Sequence, residues 1–278
     1  MEIGTIQTMI VNEVKDNEYV LIKGMMKKVL PHKEATKPLN EGENVEVFIL
    51  KDKATMHIPI LTVGTYAWVT VTKAENDIVF VDIGTTEPVI VPERDLPQFR
   101  AVWPVEGDRL YVTLKVKHNG ELFAVPAKER QFSHLIHFAE NIDLNDLITG
   151  TVIRTAREGT VILTAEGYRG FIHHTEREYE PRLGQHISGR VIELKEDGTL
   201  NVSLKPLKHE RIDDDAEVII QYLQQCGGEM DYNDRSDPEQ IRKAFNMSKS
   251  AFKRALGRLM KIRAIEQRDG KTFLIDKK

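Results

Sequence analysis

The chain has 278 residues, 41% of them hydrophobic and 29% charged, with a formal net charge of −4. That balance is ordinary for a globular protein and excludes a chain dominated by disorder. A single cysteine, Cys226, excludes an internal disulfide framework and any multi-cysteine zinc site, and fits a reducing cytoplasm.

The opening MEIGTIQTMIVNEVKDNEY has no basic segment followed by an apolar core. No later run approaches the roughly 18 apolar residues of a membrane span. The expectation is a soluble cytoplasmic protein without membrane contact. Charge is unevenly placed: residues 236–278 carry 12 Lys+Arg and 5 Asp+Glu, a net +7, which leaves −11 for residues 1–235. A basic end on an acidic body fits a polyanion-facing tail, although basic helix faces are also common solvated surfaces.

In chain order, three segments share one skeleton. Each opens with Gly-Thr (Gly4, Gly64, Gly150) and has a second glycine before its fourth apolar run (Gly42, Gly107, Gly184). The runs are short, rich in Val and Ile, and often alternate with polar residues, which is strand periodicity. Asn119-Gly120 and Asp197-Gly198 stand before the last strand of units two and three, where a hairpin would want positive φ values. Unit one has only LKDKAT there. About five strands in about 60 residues make a small OB-type barrel, which is filled by its own side chains and leaves no room for a buried active site. The spans are 1–62, 63–128 and 146–206.

Unit three contains GTV, EGTVIL, RGFIHHTE, LGQ, GRVIELKEDG and SLK. It resembles the RNA-binding OB module named after the largest small-subunit ribosomal protein, the S-one module. That resemblance implies an RNA face carrying Phe171 and His173, with Arg154 on the first strand. The module's early second-strand aromatic falls here on Val161, and its last-strand basic residue near Thr199. Strand alternation separately puts Phe171 and His173 on one face and His174 on the other, so the two histidines do not suit one metal. Stacked bases beside a cationic groove are how OB modules hold single strands. The plainer alternative is a core Phe171 and an inconsequential His173.

In unit two, alternation puts Phe80 opposite Val79 and Val81, making Phe80 with Trp68 a second candidate platform. A β-bulge would reverse that assignment. Unit one shows no platform. Residues 129–145 read as a short amphipathic helix and linker packing between modules; His134 and His137 form no recognised metal motif.

After unit three the pattern turns helical. Val218, Ile219, Tyr222 and Leu223 recur at helical spacing, with Asp213 to Asp215 expected to cap the start. Ser236-Asp-Pro-Glu239 reads as a capping box, Asn246-Met247-Ser248 as a break and new cap. The next helix puts Phe252, Ala255, Leu256, Leu259 and Met260 on one stripe, and Lys249, Lys253, Arg254, Arg258 and Lys261 on the other. Asp269-Gly270 marks a closing hairpin. Residues 213–278 thus read as a winged helix-turn-helix, a module that binds nucleic acid through its third helix and also serves in protein interaction.

The expected fold is mainly β with an α-helical C-terminal domain: three tandem OB-type barrels, then a winged helix. That order, with YEPRLGQ, LKPLKHERIDDDAEVI and SDPEQIRKAFNMSKSAFKRALGRLMK, is similar to the conserved virulence factor B family of Gram-positive bacteria. The resemblance implies a non-catalytic RNA-binding regulator of virulence-related genes, acting post-transcriptionally without a cofactor. Residue pattern alone leaves three partners open: single-stranded RNA, duplex DNA at the third helix, or a protein to which the chain docks. No GxxxxGK[ST], GxSxG or HExxH motif supports an enzyme.

Overall fold

The computed structural model describes residues 3–75, 77–205 and 208–275, in two compact units, Met1–Lys205 and Pro206–Lys278. In the first unit, β1 (Ile6–Val14), β2 (Glu18–Lys23), β3 (Met26–Pro31), β4 (Asn44–Ile49) and β5 (Ala54–Thr55) form a sheet of order β3-β2-β1-β4-β5. β6 (Tyr66–Glu75), β7 (Ile78–Asp82), β8 (Val89–Pro92), β9 (Arg109–Val116) and β10 (Leu122–Pro126) follow with order β10-β9-β6-β7-β8. β11 (Leu147–Ala156), β12 (Gly159–Thr164), β13 (Arg169–His173), β14 (His186–Leu194) and β15 (Leu200–Ser203) close fully, through parallel pairing of β13 with β15. The closure expected of all three is hydrogen-bonded only in the third. Alternation fills each interior, with Val11, Leu21 and Val47 in the first, Val71, Val81 and Val112 in the second, and Val152, Ile162 and Val202 in the third.

One device recurs three times. The first strand of each sheet carries a bulge, between Val11 and Glu13, Val71 and Lys73, and Val152 and Arg154. An extra residue leaves backbone groups without a ladder partner. They are satisfied by the turn before the fourth strand: Gly42, Gly107 and Gly184 donate N–H to the carbonyls of Val11, Val71 and Val152 at 2.8, 2.9 and 2.8 Å. Glu43, Asp108 and Gln185 accept the valine N–H groups in return, each at 2.9 Å. The turn needs φ of +82°, +88° and +83°, which is why glycine stands at each.

The bulges also correct the Gly-Thr frame. Gly4 (φ +80°) and Gly64 (φ +89°) precede their strands, whereas Gly150 lies inside β11. The residue matching them by distance from the bulge is Asn145, with φ +77°, a conformation asparagine tolerates. In the last hairpins only Gly120 (φ +85°) and Gly198 (φ +76°) adopt positive φ; Asn119 and Asp197 do not, and their carboxamide and carboxylate oxygens accept the Glu121 and Thr199 N–H groups.

The first two barrels share a buried acid. Glu34, 1% exposed, accepts from Lys53 at 2.6 Å and from the Thr86 hydroxyl at 2.9 Å. Burial pushes its carboxyl up, but hydrogen bonds from Lys53, Thr55 and Thr86 and the Lys53 charge outweigh it and hold the pKa below the ordinary 4.5. A depressed folded pKa gives stability that is complete above the unfolded value and drains as pH falls through the folded one. Glu34→Gln is therefore expected to cost about 2 kcal/mol at pH 7, and to shrink the gap in urea midpoint between pH 7 and pH 3.5. An unchanged gap would refute this role.

The segment between the second and third barrels is not the expected short helix. Residues Glu129–Phe132 make one 3₁₀ turn. A further turn follows, in which the Leu135 and Ile136 N–H groups donate to the Phe132 carbonyl at 2.8 and 3.1 Å, and from His137 the chain pairs with the third barrel. The N–H groups of His137 and Ala139 donate to the carbonyls of Gly167 and Gly198 at 2.8 and 3.2 Å. Backbone groups that a helix would pair internally are satisfied by the barrel instead. Packing between modules is realised through Phe132, 2% exposed among Tyr111, Ile153, Val161 and Leu163.

The second unit comprises α1 (Lys208–Gln225), β16 (Glu229–Met230), α2 (Pro238–Phe245), α3 (Lys249–Lys261), β17 (Ile265–Arg268) and β18 (Lys271–Leu274), with sheet order β16-β18-β17. This is a winged helix. Asp214 and Asp215 lie inside α1 and not at its start; the Asp213 side chain lies outside the described residues. Asp237, and not Ser236, caps α2, accepting from the Glu239 N–H at 2.8 Å with Pro238 at the first position. Asn246 (φ +51°) ends α2 and Ser248 caps α3. Ile219, Leu223, Phe252, Ala255, Leu256 and Leu259 are buried, while Val218 and Met260 are 42% and 38% exposed, off the stripe predicted for them. Asp269 and Gly270 both take positive φ, 51° and 81°, as the hairpin signal implies.

Candidate nucleic-acid interface

The bulge in β11 decides which residues meet on the outer face of the third barrel. Without it Arg154 would share the inward parity of Val152. With it, Arg154, Val161, Phe171 and Asn201 lie in register across β11, β12, β13 and β15. Phe171 is half-buried, and its ring lies over Gly159, where a Cβ would stand 2.6 Å from Cζ. His173 is exposed beside it, edge-on, with ring centroids 6.3 Å apart.

β13 ends at His173 and a 3₁₀ turn begins at His174, so alternation stops there. The two imidazoles sit 4.2 Å apart and not on opposite faces, a correction to strict alternation. His173 Nδ1 accepts the Thr175 N–H at 3.3 Å and lies 2.8 Å from the Thr175 hydroxyl oxygen, which ties the imidazole to the turn. Among the described residues no group of three His, Cys, Asp or Glu side chains is placed to hold a metal.

Two cations of this face are already engaged. Glu129 Oε2 accepts from Arg154 Nη1 at 2.6 Å, and Oε1 accepts from Arg169 Nε and Nη2 at 2.9 and 2.6 Å. Burial raises the Glu129 pKa, but the hydrogen bonds and charges of Arg154 and Arg169 outweigh it and hold the carboxyl below its ordinary value. Val161, at the S-one aromatic position, is 1% exposed beneath the linker, so part of the face is covered by the chain itself.

The second barrel does not unite its two aromatics. Phe80 lies between Lys73 and Ile90 in register. Trp68 lies on the β9 side, packed on Tyr111 and Phe132 with centroids 5.3 and 5.9 Å apart, and Arg109 stands over its ring at 5.6 Å. Arg109, Tyr111, Phe132 and Glu129 were not visible as site residues in the sequence. The amphipathic pattern of residues 129–145 hinted only that the linker packs.

On α3, Lys253, Arg254 and Lys261 are exposed, Arg258 is half-buried, and Lys249 donates to the Arg235 carbonyl at 3.4 Å. No helix of the described residues is long and apolar enough to cross a membrane.

Comparison with known proteins follows the same order of modules. A family model described as an S1 domain matches residues 3–58, the CvfB first S1-like domain matches 66–125, and the second domain of virulence regulatory factor CvfB matches 132–206. A CvfB-like winged helix domain matches 217–274. The chain is 43% identical to the uncharacterized protein YitL of Bacillus subtilis, across 98% of this chain and 94% of that one. It is 39% identical to conserved virulence factor B of Staphylococcus saprophyticus, across 86% and 82%. Among solved structures it is similar to a multidomain protein with nucleic acid binding domains from Streptococcus pneumoniae, with TM-score 0.65, 34% identity and 99% of both chains covered. With those matches spanning barrels and winged helix alike, the chain belongs to the conserved virulence factor B family, regulatory factors built from S1-type and winged-helix nucleic-acid-binding domains.

Proposed function

We propose that the protein is a non-catalytic regulator of virulence-related gene expression that holds single-stranded RNA on the outer face of its third barrel. The observation that carries this reading is the placement of Phe171 and His173 side by side on β13, with Phe171 in register with Arg154. Bases stack on the two rings, and Arg154 and Arg169 meet phosphates when these displace Glu129. A single strand suits such a face because its bases are free to stack, whereas duplex bases are already stacked.

The exposed Lys253, Arg254 and Lys261 of α3 support a second reading, duplex DNA bound by the winged helix. The deciding experiment measures labelled single-stranded RNA and duplex DNA against the full chain and against residues 1–205 and 206–278, at matched salt. RNA retained by residues 1–205 supports the first reading. Duplex DNA bound by residues 206–278, with no RNA on the barrels, replaces it with the second.

A further inference from the structure

Between the second and third barrels lies a cleft of about 330 Å³, lined by Trp68, Arg109, His137, Thr164, Gly167 and His186 among others. Its size falls at the low end of small-ligand sites, roughly 300–1,000 Å³. Packing gaps between domains are usually lined by aliphatic side chains, but this one combines a half-buried indole, a guanidinium, two exposed imidazoles and a threonine hydroxyl. Gly167 is required where it stands: φ is +85°, and a Cβ would lie 2.4 Å from the Leu135 carbonyl oxygen and fill that wall.

Arg109 gives the cleft its direction. The neighbouring arginines are committed, Arg154 and Arg169 to Glu129 and Arg182 to Asp108. Among the described residues Arg109 has no carboxylate partner, and its guanidinium stands 5.6 Å from the Trp68 ring. Cation and indole thus form a cation–π pair at one wall of the cleft. A planar base can stack on either group, and the guanidinium N–H groups remain for a phosphate oxygen.

We propose that this cleft is a nucleotide subsite, taking one base of a bound single-stranded RNA against the Trp68–Arg109 pair with its phosphate on Arg109. The proposal rests on the RNA-binding reading above and adds to it a second point of contact, beyond the Phe171 face.

The chain has two tryptophans, so Trp103→Phe leaves Trp68 as the sole reporter. A mixed-sequence 12-residue RNA and adenosine monophosphate are titrated separately into the full chain carrying Trp103→Phe. The RNA is expected to quench Trp68 saturably at concentrations far below those at which the mononucleotide acts. Arg109 is exposed, so Arg109→Ala spares the core; it is expected to weaken RNA binding about tenfold. Arg109→Lys, which keeps the charge but loses the plane, recovers only part of the affinity. RNA binding with silent Trp68 emission and an unaffected Arg109→Ala overturns the subsite alone. Mononucleotide as effective as the RNA overturns it in favour of a free-nucleotide site, and no RNA binding by the wild-type chain overturns both readings.

Discussion

Replacing Phe132 with alanine is expected to lower the stability of residues 1–205 by about 3–5 kcal/mol, the usual cost of deleting a buried phenyl ring. The ring touches both barrels at once: it lies 5.1 Å from Tyr111 and 5.9 Å from Trp68, and packs on Ile153, Val161 and Leu163. Neither barrel can collapse into the vacated space without moving away from the other, so the cavity persists. Both tryptophans lie in the second barrel, so denaturation followed by tryptophan fluorescence reports this unit without interference from the winged helix. A loss below about 1 kcal/mol, the level of a surface substitution, would mean that the connecting segment merely covers the barrels and does not join their cores.

The second large effect concerns affinity. Phe171→Ala combined with His173→Ala is expected to weaken single-stranded RNA binding by roughly 2–4 kcal/mol, from about 1–3 kcal/mol for each lost stacking partner, without full additivity. Phe171 is only half-buried and His173 is exposed, so both variants keep the barrel interior of Ile162, Ile172 and Val202 intact. Measured by fluorescence anisotropy at fixed salt, an affinity within threefold of wild type would remove this face from the RNA-binding surface. The same titration in Glu129→Gln is expected to show tighter binding and a steeper salt dependence, because two arginines are released for phosphates.

Local pattern carried much of this architecture. Strand periodicity and the recurring second glycine marked three five-stranded units, and Asp269-Gly270 with the caps of α2 and α3 marked the winged helix. What escaped was set by parity and by distance. One bulge residue moves every later side chain of its strand to the other face, so Arg154 reached the outer surface for a reason no alternation count contains. The shift of unit three relative to its Gly-Thr pair arose in the same way, with Asn145 assuming the left-handed position. The Glu129 pairing with Arg154 and Arg169, 25 and 40 residues downstream, and the clasp of Phe132 between two barrels depend on tertiary approach, which leaves no periodic trace. Strand ends were equally hidden: His174 belongs to a 3₁₀ turn, and only that break puts it beside His173.

The hydrogen bonds between each bulge and its glycine close within one barrel, so each unit carries its own strand alignment, although the Gly184 carbonyl also accepts the Arg109 N–H of the second barrel at 2.9 Å. The apolar interior obeys no such boundary. Phe48 of β4 is fully buried in the cluster of the second barrel, and Phe132 bridges the second and third. Information and stability are thus divided differently along this chain. A single barrel cut out at its sequence limits carries full instructions for its shape but presents to water the apolar patches its neighbours would have sealed. Excised barrels are therefore expected to self-associate, and the smallest piece that behaves as a well-mannered solute is the whole run of three.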